Sequence, residues 1–274
     1  MSQSSTYLAE VSPDAAEGEI AHIYEEIRRL TGGPLVALIF RHLATFPGVL
    51  ESVWRQVSPL LASGEVQEGA WALARNAWDG APPPADAGLI ALDATERRRA
   101  ADVIAAYNRA NPINFAVVCA LRAAQARGRD SQPATRQVLR PWSPPARIGA
   151  IAPIPSMQSL DERARRIVDA FAKEAAPGAG VLVPTLYRHI AHWPALLEYC
   201  GREVAPRLAA GAFDAPIARF RSGIEALAER WADSLAAAPP GAGSDERLMQ
   251  VCERFAGVIP EMVVVGHFIG PALD

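Results

Sequence analysis

The chain repeats itself, and that constrains its fold more than any other feature. Arg41 to Gly64 reads RHLATFPGVLESVWRQVSPLLASG, and Arg188 to Gly211 reads RHIAHWPALLEYCGREVAPRLAAG, at a constant offset of 147. Twelve of these 24 positions are identical, and Leu43/Ile190 and Phe46/Trp193 are conservative pairs. Upstream, the same offset matches Ile20 with Ile167, Tyr24 with Phe171 and Gly33 with Gly180. Towards the ends it becomes 148, matching Tyr107 with Phe255 and Pro112 with Pro260. One module, duplicated head to tail, is expected to pack about a pseudo-two-fold axis, like a homodimer whose subunits were joined. A binding cavity belongs naturally between the copies.

Both copies read as helices, so the expected fold class is all-α. Ile20, Ile23, Tyr24, Ile27 and Leu30 recur at helical spacing, and Gly32-Gly33 stop that helix. Pro34 and Pro184 suit the first turn of a following helix, with LVALIFRHLAT and TLYRHIAH as its body; Pro47 and Pro194 end it and begin the next. Thr95-Glu96 open a further helix, which Asn111-Pro112 is expected to break before Phe115 to Arg122 resume. No segment alternates with period two between hairpin turns, so no sheet is expected. Residues 128–155 hold six prolines and read as an extended linker between repeats at 1–127 and 156–274. Ala81–Ala85 and Ala236–Gly243 are Pro/Gly-rich loops at equivalent places.

Half the residues are apolar and 21% are charged, enough for a sizeable core. A net charge of −3 gives no electrostatic footprint for nucleic acid and no polybasic membrane patch. The N-terminus shows neither a basic nor an apolar leader region. The apolar stretch from Val258 to Leu273 is interrupted by Pro260, Glu261, His267 and Pro271, so no membrane partner is expected. Cys119, Cys200 and Cys252 form no C-x-x-C, which argues against a disulfide framework, a zinc site and a dithiol centre. They are expected to be free and buried, in a cytoplasmic protein. The six tryptophans are expected to anchor the core and the helix interfaces.

Three stretches carry a resemblance: Ala44-Thr45-Phe46-Pro47-Gly48 with Trp54-Arg55; Tyr107-Asn108-Arg109-Ala110-Asn111-Pro112; and Trp193-Pro194. Over nearly the whole chain the sequence resembles the group I 2-haloacid dehalogenases, the DehI family. The resemblance implies an all-helical protein of two related halves, distantly similar to alkylhydroperoxidase-D-like folds. It implies cofactor-free hydrolysis, in which water attacks the halogen-bearing carbon of a 2-haloacid directly. A carboxylate base takes the water's proton, an asparagine holds the water, and an apolar slot receives the side chain and halide. The water-holding asparagine falls on Asn111. The catalytic aspartate falls on Leu186, its preceding serine on Thr185, and two aromatic pocket residues on Leu35 and Leu38. No Asp or Glu lies between Glu174 and Glu198, so no shift of register supplies the base.

Other residues are candidates for the missing chemistry. Positions 182, 186, 189 and 193 share one helix side, which aims His189 at the cavity one turn from Leu186. His42 is its twin in the first copy, one turn beyond Leu38; Tyr187 and His192 lie nearby. Histidine suits base work near neutral pH, so His189, with His42, is a candidate base or substrate anchor. The alternative is a pair of interhelical hydrogen-bonding residues kept from the duplication. A metal held by His189 and His192 lacks a third ligand, since His22 and His267 are remote in sequence, and no metal is expected. Asn111 before Pro112 is equally a helix-break signal, although its counterpart beside Pro260 is Ile259. Arg41 and Arg188 could fork a substrate carboxylate or bridge helices through Glu51 and Glu198. The expectation is therefore a hydrolase-like protein acting on or binding a small carboxylic acid, monomer or homodimer. Its alternatives are a catalytically altered or inactive ligand-binding homologue and an alkylhydroperoxidase-like redox protein.

Overall fold

The two longest helices form the spine. Helix α5 (Ala94–Arg127) packs along α11 (Asp245–Ile269), and the remaining helices assemble around this pair. The computed structural model describes residues 7–80, 82, 85–127, 142–146, 148–173, 180–235 and 245–273. Among these there is no β-strand, only isolated bridges pairing Tyr7 with Val181 and Lys173 with Leu182. The protein is all-α.

The helices before α5 are α1 (Gly18–Thr31), α2 (Leu38–Leu43), α3 (Val49–Leu61) and α4 (Glu65–Arg75). Those before α11 are α6 (Glu162–Asp169), α7 (Thr185–Ile190), α8 (Pro194–Tyr199), α9 (Ala205–Ala209) and α10 (Asp214–Asp233). Helices α2 and α7 are each six residues long and start 147 positions apart. A π-helical turn, Cys200–Val204, separates α8 from α9, where the first half has the single helix α3. Gly64 and Gly211, which close the repeated stretch, are both left-handed, at φ 77° and 73°. A side chain there would be strained, which accounts for glycine at both positions.

Local chemistry sets the helix ends. Asp93 Oδ1 accepts from the Thr95 and Glu96 amides, and Glu96 Oε2 accepts in return from the Asp93 amide, a capping box that starts α5. Asp161 caps α6 through the Ala164 amide. Pro34 falls four residues before α2 and Pro184 on the N-cap of α7, so neither occupies a first turn; Pro194 does, in α8.

The expected break at Asn111-Pro112 does not occur. Helix α5 runs through Pro112, and α11 likewise runs through Pro260. An interior proline costs about 3 kcal/mol, a cost that the packing of α4, α7, α10 and α11 against α5 can offset. Continuity also makes α11 long and apolar enough to cross a membrane, correcting the interrupted stretch read from the sequence; 72% of that stretch is buried inside the protein. The α5–α11 contact is close. A Cβ built on Gly266 would lie 2.1 Å from Asn108 Oδ1, and Asn108 Nδ2 donates to the Gly266 carbonyl.

Residues 142–146 and 148–155 of the expected linker lie against the helices. Trp142 covers Gly64 and donates to Glu68, and Arg109 donates to the Ala146 carbonyl. The rest of the linker up to 141, Ala81, Pro83, Pro84 and the loop 236–243 lie outside the described residues.

Candidate functional site

Where α2, α5, α7 and α11 meet, the chain encloses a cavity of about 20 Å³, room for about one or two waters. Much of its lining falls into pairs related by the repeat offsets, among them Leu35 with Leu182, Leu38 with Thr185, Tyr107 with Phe255, Asn111 with Ile259, and Asn114 with Met262. The α5 member of each long-helix pair is polar and the α11 member is apolar. Asn111 and Asn114 are buried, and neither side-chain Nδ2 has a hydrogen-bond partner. Buried amides almost always find an acceptor. Two such donors beside a water-sized space fit a held water or a ligand oxygen.

Tyr107 connects this cavity to the residues around it. Its hydroxyl accepts from Thr185 and donates to His189 Nδ1, 3.3 Å away. The other ring nitrogen, Nε2, is 2.7 Å from the Ala152 carbonyl. A carbonyl can only accept, so Nε2 carries the proton and Nδ1 the lone pair. Burial pushes the His189 pKa down to about 4 and that of Tyr107 up to about 12. With Nε2–H given to Ala152 and the Nδ1 lone pair taken by Tyr107, His189 braces Tyr107 and has no nitrogen left for water.

The remaining sequence candidates divide clearly. Leu35, Leu38, Asn111 and Thr185 line the cavity together. Leu186 is fully buried and Tyr187 is stacked on Phe171 at 3.7 Å; neither borders the cavity. The helix side carrying position 186 therefore points into the core rather than at the cavity, which α7 lines with Thr185. His42 also lies off the cavity, with Nδ1 donating to the Ala9 carbonyl at 2.7 Å. His192 Nε2 donates to the Pro153 carbonyl, and with both nitrogens of His189 engaged the two rings do not offer a metal a pair of ligands. Among the described residues no group of three or more His, Cys, Asp and Glu converges as a metal site. The three cysteines are buried, and burial drives each thiol up to about 12, so none is poised as a thiolate.

A second, larger cleft of about 720 Å³ adjoins the cavity, sharing Leu35, Val36 and Ile154 as a wall. Arg41, Arg188, His189 and Glu10 border it. The arginines do not reach Glu51 or Glu198 as expected. Both pair with Glu10, at 2.5 Å for Arg41 and 3.2 Å for Arg188, while Glu198 pairs with Arg163.

The sequence reading missed Tyr107 and Asn114 as cavity residues. Asn114 had a usable signal, one helical turn after Asn111. Glu10 had none, because its partner Arg188 is 178 residues away.

No known family profile matches the sequence, and no curated protein matches it. Solved structures do. A D-2-haloacid dehalogenase mutant aligns over 98% of this chain and 97% of its own, at a TM-score of 0.72 and 18% identity. A complex of D-2-haloacid dehalogenase with L-LA gives 0.66 at 20% identity, over 97% of both chains. A mutant complex with D-2-CPA gives 0.65 at 20% identity, over 96% of this chain and 95% of the other. Along almost its entire length, this chain has the fold of the D-2-haloacid dehalogenases.

Proposed function

We propose that the protein binds a small 2-substituted carboxylic acid at the Asn111 cavity and lacks the carboxylate-based hydrolysis of carbon–halogen bonds. One observation carries the reading: two unpartnered buried amides face a cavity whose lining residues include no Asp or Glu. The matched pairs of lining residues support a pseudo-two-fold origin for the cavity, with copies at 1–127 and 156–274. A direct attack by water needs a group to take its proton. Leu186 supplies none, His189 has both nitrogens engaged, and Glu10 is held by two arginines in the neighbouring cleft. The cavity as it stands is water-sized, so an acid enters from the cleft as Leu35 and Ile154 swing aside.

Chloride release from both enantiomers of 2-chloropropionate tests the catalytic half; none above buffer is expected, and turnover at an enzymatic rate would overturn it. Titration with 2-chloropropionate tests the binding half, with an expected loss of at least tenfold in Asn111→Ala. Leu186→Asp and Thr185→Asp then ask whether only the base is missing. Because Thr185 lines the cavity and Leu186 does not, chloride release is expected from Thr185→Asp before Leu186→Asp.

A further inference from the structure

Arg41 and Arg188 come from equivalent positions of the repeat, 147 residues apart, yet they meet at one carboxylate. Their surroundings are not those of an ordinary surface bridge. Arg41 is 3% exposed, and its Nε and Nη2 have no hydrogen-bond partner; nor does Nε of Arg188. Two guanidinium groups offer ten N–H donors, and one carboxylate cannot satisfy them. Arg28, Arg41 and Arg188 against Glu10 and Asp14 leave the cleft lining with one cation in excess, and burial already disfavours the charged form of Arg41. Leu8, Ile151 and Met157 give the cleft apolar surface, beside polar residues that include Asp14, Arg28 and Gln158.

We propose that Arg41 and Arg188 form a carboxylate-binding site for a small acid with an apolar tail, and that Glu10 occupies it as an internal stand-in. Guanidinium forks match carboxylate geometry and bind it through paired hydrogen bonds. The cleft, at about 720 Å³, falls within the usual range for small-molecule sites. Glu10 can yield without unfolding its segment. The backbone on either side is fixed independently: the Ala9 carbonyl accepts from His42, the Val11 amide donates to the Arg41 carbonyl, and the Leu8 amide donates to the Val181 carbonyl. Only the Glu10 side chain must rotate, and it is the more exposed partner, at 22% against 3% for Arg41. The incoming acid then exchanges with Glu10 or shares the unpartnered donors with it. The site shares a ligand class with the Asn111 cavity but no residue with its proposed hydrogen-bonding groups.

The test is chemical rescue. Sodium propionate is titrated into wild type, Glu10→Ala and Glu10→Gln, followed by calorimetry and by melting temperature, with propionamide as the uncharged control. Removing the stand-in is expected to tighten propionate binding at least tenfold and to restore the melting temperature lost by the variant; propionamide does neither. Glu10→Gln makes the same comparison if Glu10→Ala does not fold. Arg188→Gln, made with Glu10 intact and with Glu10→Gln, is expected to weaken propionate binding at least tenfold. Asn111→Ala is expected to leave the gain from Glu10→Gln intact, which separates this site from the cavity. Equal propionate affinity with and without Glu10, or equal rescue by propionamide, would sink the proposal.

Discussion

The two long helices that wall the cavity occupy matching positions in the sequence repeat and differ in kind. Helix α5 presents Tyr107, Asn111 and Asn114, and α11 presents Phe255, Ile259 and Met262 at the matching places. The sequence positions correspond while the chemistry does not. The wet wall is α5, joined by one polar residue of α7, Thr185, and the α11 wall is dry. The dry wall can be attacked at Ile259, which is 2% exposed and has no neighbouring cation among the cavity's lining residues. Ile259→Asp leaves a buried charge unpaired and is expected to cost about 3–5 kcal/mol near neutral pH. Denaturant unfolding at pH 7 and pH 4 checks it, and the loss shrinks as the carboxyl is protonated. A cost under 1 kcal/mol would mean that the α11 wall is already hydrated.

The wet wall depends on its brace. His189 has a folded pKa of about 4, below the ordinary 6.5 or so of an exposed histidine. Below about pH 6.5 the unfolded chain therefore binds a proton that the folded chain refuses, and stability falls with pH until about pH 4. The gap corresponds to about 3 kcal/mol in total. His42 and His267, also lowered by burial, add in the same direction. Unfolding free energies measured from pH 7 to pH 4 are expected to drop on that scale, and His189→Gln to flatten the slope. An unchanged slope in that variant would place the acid sensitivity elsewhere.

Much of this was legible beforehand, and the misses have physical causes. Residues that the repeat offset pairs in the sequence, such as Leu35 with Leu182 and Asn111 with Ile259, line one cavity. Helix type was readable from spacing, but continuity through Pro112 was not, since local propensity cannot register the helices packed against α5. The histidines looked chemical because their intrinsic pKa suits catalysis. In the fold, His42, His189 and His192 each clamp a coil carbonyl, at Ala9, Ala152 and Pro153. Leu186 and Thr185 are neighbours in sequence, yet only Thr185 reaches the cavity; a shift of one residue on a helix turns a side chain by about 100°. Glu10 was invisible because no local pattern links residues 178 apart.

How closely the two walls approach is set beside them, at Gly266. An added methyl there meets Asn108 Oδ1, while one at Gly257 of the same helix meets nothing within 4 Å. Replacing a helical glycine by alanine gains up to about 1 kcal/mol from propensity, and overpacking costs about 1–3 kcal/mol. Gly266→Ala is thus expected to lose about 1–2 kcal/mol, and Gly257→Ala to gain about 0.5–1 kcal/mol. Thermal melts of the pair read the difference directly, and equal effects would show that α5 and α11 can separate freely.

The smallest expected effect bears most directly on what the wet wall is for. Leucine has the branching of asparagine, so Asn111→Leu keeps the side chain's shape while deleting a buried donor that has no partner. An unsatisfied buried amide costs stability, and removing it without creating a void is close to neutral or favourable. The expected change in unfolding free energy is within about 1 kcal/mol, together with loss of 2-chloropropionate binding. The mirror variant, Ile259→Asn, creates an unsatisfied amide and is expected to cost about 2–3 kcal/mol with little effect on binding. That asymmetry is the signature of a wall kept polar for a ligand at the expense of the fold. If Asn111→Leu instead destabilises by more than about 2 kcal/mol, its amide is holding a structural water, and the two walls differ in hydration rather than in purpose.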